Sequence, residues 1–192
     1  MKNSSFITGK VPITKEEVRA IALSKLEIEN AKSFLDVGAG TGSVCIEAAL
    51  KNPNMRVVAV ERHEHAVELI EANKEKFGVK NLEILEGYAP FETDEKFDAV
   101  FIGGTAKKLE EIVDWTYDIL NEGGKLCANF IIIDTFYKAL ELLRNKGFRD
   151  IDVSMVSVSK LEKLGSGDYF KPQNPIFLIS AEKEINLEVC YE

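Results

Sequence analysis

Residues 33–42 read Ser-Phe-Leu-Asp-Val-Gly-Ala-Gly-Thr-Gly, an apolar run that passes directly into three glycines at alternate positions. A helical pattern starts at Ser43, so the glycines lie between a strand and a helix, where nucleotide-type ligands meet the backbone. Glycine permits positive φ and a close approach of backbone to ligand. The spacing is not that of a dinucleotide fingerprint, because Ser43 stands where its third glycine belongs. The loop therefore favours a ligand without a pyrophosphate, and a plain tight turn is the alternative.

Strand and helix patterns alternate from residue 33 to residue 147, which is typical of βαβ units and a parallel sheet covered by helices. We predict strands at 33–38, 56–60, 82–85, 97–102, 125–132, 151–158 and 176–179. Helices are predicted at 12–28, 43–50, 65–77, 109–120 and 136–146. No helix separates the last two strands, so they should form an antiparallel pair. The fold class is thus α/β: a Rossmann-like domain with a mainly parallel seven-stranded sheet and an antiparallel edge strand.

The predicted domain spans 1–192, with an N-terminal helix 12–28, a core 33–181 and a tail 182–192. Thr14 and Glu17 have the spacing of a capping box, which should begin the first helix. A loop is expected between the last two strands.

The composition is that of an ordinary globular protein, with 45% hydrophobic and 29% charged residues among 192. The net charge of −8 argues against a nucleic-acid partner, since such proteins usually carry a basic surface. No apolar run is long enough for a membrane span. Three scattered cysteines indicate neither disulfides nor a zinc site, so we expect no metal and a cytoplasmic location.

Ligands of such sheets bind beyond the carboxyl ends of the strands. Glu61 ends the second predicted strand, 61 − 42 = 19 residues after Gly42. A carboxylate at about this distance from a glycine loop accepts both ribose hydroxyls of a bound nucleoside. S-adenosylmethionine is a nucleoside ligand without a pyrophosphate and fits both features. The alternative is a solvent-facing glutamate at the start of a helix.

Two further loops follow strands. Gly87-Tyr88-Ala89-Pro90 leaves space for a flat adenine ring, or forms a simple β-turn. Gly103-Gly104-Thr105 carries no carboxylate or histidine that could activate a substrate. A substrate that needs little activation, such as an electron-rich carbon nucleophile, agrees with this absence. His63 and His65 do not share a helix face and are not expected to bind a metal.

Four segments carry a resemblance to a known family. They are residues 12–19 (Pro-Ile-Thr-Lys-Glu-Glu-Val-Arg), 86–90 (Glu-Gly-Tyr-Ala-Pro), 101–105 (Phe-Ile-Gly-Gly-Thr) and 174–175 (Asn-Pro). With the glycine loop, they make the chain resemble the class I S-adenosylmethionine-dependent methyltransferases. Within these it is similar to the decarboxylating C(15)-methyltransferases of cobalt-precorrins in cobalamin biosynthesis. The resemblance covers residues 6–181.

The resemblance implies a cofactor site for S-adenosylmethionine. Its residues would be Thr14, Gly38, Ala39, Gly40, Thr41, Gly42, Glu61, Arg62, Gly87, Tyr88, Ala89 and Gly103. Gly103, Gly104 and Thr105 would line the substrate mouth, where the family often has Ser-Gly-Gly after the paired glycines. This chain instead has Thr105-Ala106-Lys107, which bears on the shape of the mouth. Arg19 and Lys160 are candidates for binding substrate carboxylates.

The implied reaction methylates C-15 of a cobalt-precorrin and releases CO2 from its ring C acetate. The family also implies a homo-oligomer, specifically a tetramer, and a separate C(5)-methyltransferase in the same pathway. Three alternatives remain open from the residues. They are a class I methyltransferase for another small molecule, a nicotinamide-dependent oxidoreductase, and a cofactor-binding module without catalysis.

Overall fold

The computed structural model describes residues 1–185. Its helices are α1 (Glu16–Lys25), α2 (Ser43–Lys51), α3 (Glu64–Phe77), α4 (Leu109–Ile119) and α5 (Ile133–Lys146), after a short 3₁₀ turn at Asn3–Ser5. Its strands are β1 (Ser33–Val37), β2 (Arg56–Glu61), β3 (Leu82–Glu86), β4 (Phe97–Ile102), β5 (Leu120–Phe130), β6 (Arg149–Val156), β7 (Ser159–Leu164), β8 (Gly167–Pro172) and β9 (Ile176–Glu182).

Seven strands form one sheet in the order β3-β2-β1-β4-β5-β9-β6. The chain leaves β1 toward β2 and β3 on one side and returns to β4 and β5 on the other, so a crevice opens between β1 and β4. The predicted α/β class, the seven-stranded sheet and its parallel majority are confirmed. The predicted antiparallel pair at one edge is confirmed as well: the edge strand β6 pairs antiparallel with β9, and β9 also pairs antiparallel with β5.

Each face of the sheet is buried by a different set of helices. Along β1, Phe34 belongs to the core cluster that includes residues of α1 and α2. Leu35 and Val37 belong to the cluster formed with α4 and α5. This alternation follows from the two-residue period of a strand. It also places Asp36 on the Phe34 face, directly beneath the glycine loop.

The N-terminal helix is shorter than predicted. It begins at Glu16, with Lys15 as its N-cap and no side-chain cap, so the Thr14–Glu17 capping box is wrong. The first helical hydrogen bond runs from the Arg19 amide to the Lys15 carbonyl, over 2.8 Å. The helix ends at Lys25 rather than near residue 28, because Glu27 takes a left-handed φ of 50°. Residues 10–15 consequently form an extended segment over the carboxyl ends of the strands.

Residues 159–172, expected as a loop, form a hairpin of β7 and β8 separate from the main sheet. Leu161 pairs directly with Phe170 across it. Apolar and polar side chains do not alternate between a buried and an exposed face here, because nearly all are exposed. The usual strand pattern is therefore absent from the sequence. Among the described residues, no helix is long and apolar enough to cross a membrane.

Candidate active site

A cavity of about 840 Å³ opens at the carboxyl ends of β1, β2, β4 and β5. The extended segment 10–15 forms one wall, the glycine loop forms the floor, and Gln173 and Asn174 lie at the opposite rim. A smaller cavity of about 190 Å³ adjoins it, and Gly38, Glu61 and His63 line both. The two cavities together contain the loops that the sequence singled out.

The glycine loop is shaped by left-handed backbone conformations. Gly38 has a φ of 72°, and a Cβ placed on it would lie 2.9 Å from the backbone nitrogen and oxygen of Gly104. Gly42 has a φ of 74°, and a Cβ there would lie 2.9 Å from a methyl carbon of Ile70. Only glycine fits both positions. At Gly38 this lets the loops after β1 and β4 lie backbone against backbone, and at Gly42 it lets the glycine loop pack against Ile70 of α3.

Glu61 is buried, with 6% of its surface exposed, which contradicts the alternative of a solvent-facing glutamate. Its Oε2 accepts a hydrogen bond from the Gly40 amide over 2.9 Å. Its Oε1 accepts from the amides of Arg62 and His63 over 2.9 and 3.0 Å. The carboxylate thus fixes the glycine loop against the end of β2 and still borders both cavities.

Asp36 is a site residue to which sequence reasoning assigned no role. Its Oδ2 accepts a hydrogen bond from the Cys45 amide over 3.0 Å, whereas its Oδ1 is buried without a partner. Burial raises the pKa of this carboxyl from 3.8 to about 7, and the nearby negative charge of Glu61 adds to the rise. Asp36 lines the large cavity, so it offers a ligand an acceptor that no described residue uses. A charged residue inside an apolar strand, directly before the glycines, was the available signal.

Asn129, at the end of β5, was likewise given no role, although its loop was expected to face the ligand. Its Oδ1 is buried without a hydrogen-bond partner and its side chain lines the large cavity. Four buried side-chain oxygens lack a partner in the described part of the chain, and Asp36 and Asn129 account for two of them. Asp36 and Asn129 both line the large cavity.

Arg19 does not face the cavity, so its predicted contact with a substrate carboxylate is wrong. The side chain is fully buried, with 0% exposed, and its Nε donates to Glu47 Oε2 over 2.6 Å. Its Nη1 donates to the Thr14 carbonyl over 2.7 Å. Arg19 therefore anchors the extended segment through the Thr14 carbonyl, and its positive charge is paired with the carboxylate of Glu47 on α2.

Lys160 lies on β7, where its ammonium group pairs with Glu17 and with Glu16 of α1. These two carboxylates raise its pKa. It does not line the large cavity, so its predicted contact with substrate requires it to leave both glutamates. Lys15, in contrast, lines the cavity and donates to the Asn174 carbonyl across its rim.

The remaining candidates lie where their strand positions imply. Thr14, Ala39, Thr41 and Gly103 line the large cavity. The small cavity is lined by the other candidates, namely Arg62, Gly87, Tyr88, Ala89, Gly104 and Thr105, beside the residues shared with the large cavity. The guanidinium of Arg62 lies 5.6 Å from the ring centre of Tyr88, and together they border the small cavity.

Asn73 of α3 is a further residue that the sequence did not reveal. It is fully buried, and its Nδ2 donates to the carbonyls of Thr41 and Ile7 over 3.1 and 2.8 Å. Its Oδ1 accepts from the Ile7 amide over 2.7 Å. This amide joins the glycine loop to the N-terminal segment, and no local pattern could have indicated a bond between positions 66 residues apart.

Comparison with known proteins identifies relatives over nearly the whole chain. Residues 6–183 match a family model described as a precorrin methyltransferase domain. Cobalt-precorrin-6B C(15)-methyltransferase (decarboxylating) of Salmonella typhimurium is 46% identical, over 97% of each chain. The crystal structure of precorrin-6y C5,15-methyltransferase from Geobacter metallireducens aligns with a TM-score of 0.89, 38% identity, and coverage of 95% of this chain and 96% of that one. A structure from Methanobacterium thermoautotrophicum, described as precorrin 8W decarboxylase, aligns with a TM-score of 0.86, 30% identity, and coverage of 94% and 98%.

Proposed function

Because the chain belongs to the precorrin methyltransferase family, we propose that it methylates cobalt-precorrin-6B at C-15 and removes a carboxyl group as CO2. The observation that carries this proposal is the lining of the large cavity. One half is lined by the glycine loop and the carboxyl groups of Asp36 and Glu61, and the other half is lined mainly by apolar side chains. Phe101, Ile131 and Ile176 supply apolar surface in that half. An apolar macrocycle with reactive carbon atoms matches such a lining.

The residues present fit S-adenosylmethionine. This cofactor has an ammonium and a sulfonium group, and the cavity offers the unpartnered Oδ1 of Asp36 and the carboxylate of Glu61. A Cβ on Gly38 would close the space between the glycine loop and the loop after β4, so the glycine keeps room for a ligand there. When bound, the cofactor supplies an electrophilic methyl group.

Each residue of the cofactor site then has a defined task. Glu61 accepts hydrogen bonds from the ribose hydroxyls, and the backbone at Ala89 contacts the adenine. Asp36 accepts from the ammonium group, and Thr14 covers the cofactor from the extended segment. Gly103 leaves open the passage between cofactor and substrate. Gly38, Ala39, Gly40 and Thr41 of the glycine loop, together with Arg62, Gly87 and Tyr88, complete the wall around the cofactor. Gly42 lines neither cavity and forms the turn into α2.

Chemistry at the substrate needs alignment more than acid–base catalysis. The electron-rich ring carbon would form a bond to the methyl group while the bond from that methyl group to sulfur breaks, with its electron pair left on sulfur; the methylated ring then loses a proton to water. In the decarboxylation, the bond between the carboxylate carbon and its methylene would break, its electron pair would enter the conjugated ring system and CO2 would leave; a proton from water at the methylene carbon then completes the methyl group that replaces the acetate. Gly103, Gly104 and Thr105 have no acidic or basic side chain, which agrees with a protein that contributes proximity and desolvation. Lys160 remains a candidate for a substrate carboxylate at the outer surface.

We propose, in addition, that the chain forms a homo-oligomer, a tetramer as in the family, through the β7–β8 hairpin. Leu161, Leu164 and Phe170 of the hairpin and Met155 of the neighbouring edge strand are each more than 60% exposed. Leu161 and Phe170 lie side by side across the hairpin, and a contiguous exposed patch of large apolar side chains marks an interaction surface. Light scattering of the L161E/F170E variant should show a smaller species than the wild type. A separate C(5)-methyltransferase and a cytoplasmic location stay predictions, as does one domain over 1–192.

A single-turnover incubation with S-adenosylmethionine and cobalt-precorrin-6B, followed by mass spectrometry, tests the reaction. A product that gains one methyl and loses one carboxyl group is expected. Methylation without loss of CO2 would assign decarboxylation to another protein. No conversion, with S-adenosylhomocysteine still bound, would indicate a methyltransferase for another small molecule. Thermal stabilisation by NAD but not by S-adenosylhomocysteine would indicate an oxidoreductase instead.

A further inference from the structure

Asn129 lies beside the point where cofactor and substrate must meet. In the register between β4 and β5, Ile102 pairs with Ala128, so Gly103 and Asn129 follow side by side at the ends of the two strands. Gly103 has no side chain, which leaves the amide of Asn129 open toward the cavity. Both residues line it.

The face of β5 that carries Asn129 is the face that carries the cavity. Ala128 and Phe130 pack into the core beneath α4 and α5, whereas Cys127 packs on the other side. Asn129 and Ile131 share the Cys127 side because side chains alternate along a strand. Ile131 is 60% exposed and also lines the cavity, so this strand end supplies one apolar and one amide group.

Asn129 is separated from the cofactor residues by one strand. In the sheet order, β4 lies between β1 and β5, and Phe101 of β4 pairs with Asp36 on one side and Cys127 on the other. Two strand spacings correspond to about 10 Å between β1 and β5. Asp36 therefore serves the cofactor half of the cavity, and Asn129 lies in the other half.

The Oδ1 of Asn129 is buried and has no hydrogen-bond partner. A buried polar atom without a partner destabilises the folded state, so a ligand that completes the hydrogen bonds of this half-buried amide gains affinity. Rotation of the amide by 180° exchanges its oxygen and nitrogen, so the same position can present an acceptor or an N–H donor. A ligand group therefore decides which atom faces the cavity.

We infer that Asn129 is a substrate-positioning residue whose amide donates a hydrogen bond to a side-chain carboxylate of the tetrapyrrole. This inference rests on the proposed function, in which the substrate carries acetate and propionate groups. Of the cationic residues considered, Arg19 pairs with Glu47 and Lys160 with two glutamates, while Lys15, which lines the cavity, donates to the Asn174 carbonyl at the rim. A cation would stabilise the carboxylate before the reaction and so oppose loss of CO2. A neutral amide donor orients the carboxylate but stabilises its charge less.

Two near-isosteric variants, N129L and N129D, test this role through binding rather than turnover. Cobalt-precorrin-6B is titrated, by its visible absorbance, into each protein saturated with S-adenosylhomocysteine. We expect N129L to weaken substrate binding about 10-fold or more, as for loss of a hydrogen bond to a charged group. N129D should bind more weakly than N129L at pH 8, because two carboxylates repel, and should recover as the pH falls to 6. Affinity for S-adenosylhomocysteine should change less than about twofold in both.

The matched control is N121L, at the opposite end of β5, where the side-chain amide of Asn121 donates to Asp98 Oδ1 over 2.7 Å. It should leave both affinities unchanged. The inference is overturned if both Asn129 variants bind substrate like the wild type, or if N129D binds better than N129L at pH 8. Equal losses for S-adenosylhomocysteine and substrate would make Asn129 a cofactor residue and overturn it too. A wild type that binds S-adenosylhomocysteine but not the tetrapyrrole would instead refute the proposed function, and with it this role.

Discussion

Replacement of Asp36 by asparagine should stabilise the ligand-free protein at high pH and weaken its binding of cofactor. The carboxyl is buried, accepts one hydrogen bond from the Cys45 amide, and leaves Oδ1 unpartnered. Asparagine keeps an oxygen for Cys45 and places a neutral NH2 group toward the cavity. The substitution therefore removes a buried negative charge with little change in shape.

The size of the effect follows from the pKa. In the folded protein burial raises the pKa of Asp36 to about 7, against 3.8 for an aspartate carboxyl in water, so folding favours the protonated form. At about 1.4 kcal/mol for each pH unit, the ionised carboxylate costs the folded state about 4 kcal/mol. This cost is absent below pH 3.8, grows as the pH rises, and is complete above pH 7. Between pH 5 and pH 8 it grows by about 2.5 kcal/mol.

Urea denaturation of wild type and D36N at pH 5 and pH 8 measures this difference. The advantage of D36N in free energy of unfolding should be about 2.5 kcal/mol larger at pH 8 than at pH 5. Calorimetric titration at pH 8 should show affinity for S-adenosylmethionine lower by about 10-fold or more, since a charged acceptor for the ammonium group is lost.

The same pH dependence in both proteins would show that Asp36 does not titrate in this range, and the argument from burial would fail. Unchanged affinity for S-adenosylmethionine would place the ammonium group elsewhere. The two outcomes are independent, because the first is measured without ligand.

Three further substitutions test the site. E61Q should lower affinity for S-adenosylhomocysteine at least about 10-fold in calorimetry, because the Glu61 carboxylate accepts three backbone amides and an amide side chain has one acceptor oxygen; binding like the wild type would contradict this. G38A should abolish cofactor binding, since its Cβ would lie 2.9 Å from the backbone of Gly104, whereas G167A, in the hairpin turn, should bind normally. R19M should destabilise the protein by about 3–5 kcal/mol in urea denaturation, because the buried Glu47 keeps only the N-terminal ammonium of Met1 as a cationic partner, and the carbonyls of Thr14 and Met1 lose their donor. The R19M/E47L double variant should recover part of that loss, and a higher KM for substrate in stable R19M protein would restore the predicted role of Arg19.

The parts of the site that were predictable depend on neighbours in sequence. The glycine loop can be recognised from the spacing of its own glycines, and Glu61 from its distance in sequence from that loop. Both lie where the strands end, because parallel strands present their carboxyl ends at one edge. The order of strands and helices was equally readable, since each buried segment shows its period locally.

The misjudged residues depend on partners far away in the chain. Arg19 appeared available to a substrate until Glu47, 28 residues later, proved to hold it. Asp36 differs in sequence only as a charged residue within an apolar strand, and no local pattern shows that its Oδ1, or that of Asn129, lacks a hydrogen-bond partner. The hairpin was missed because its side chains are exposed on both faces, so no apolar alternation marks its strands.

The wall of the large cavity has a consequence for how the enzyme matures. Lys15 and Asn174, which meet across the rim, are 159 residues apart in the chain. During synthesis the glycine loop and Glu61 emerge early, but the rim can close only after the last strands have been made. Contacts of such long sequence separation form late in folding. A ribosome-bound chain that ends before β9 should therefore have most of the sheet and lack a closed cofactor chamber, so methyl-donor binding becomes a marker of completed synthesis.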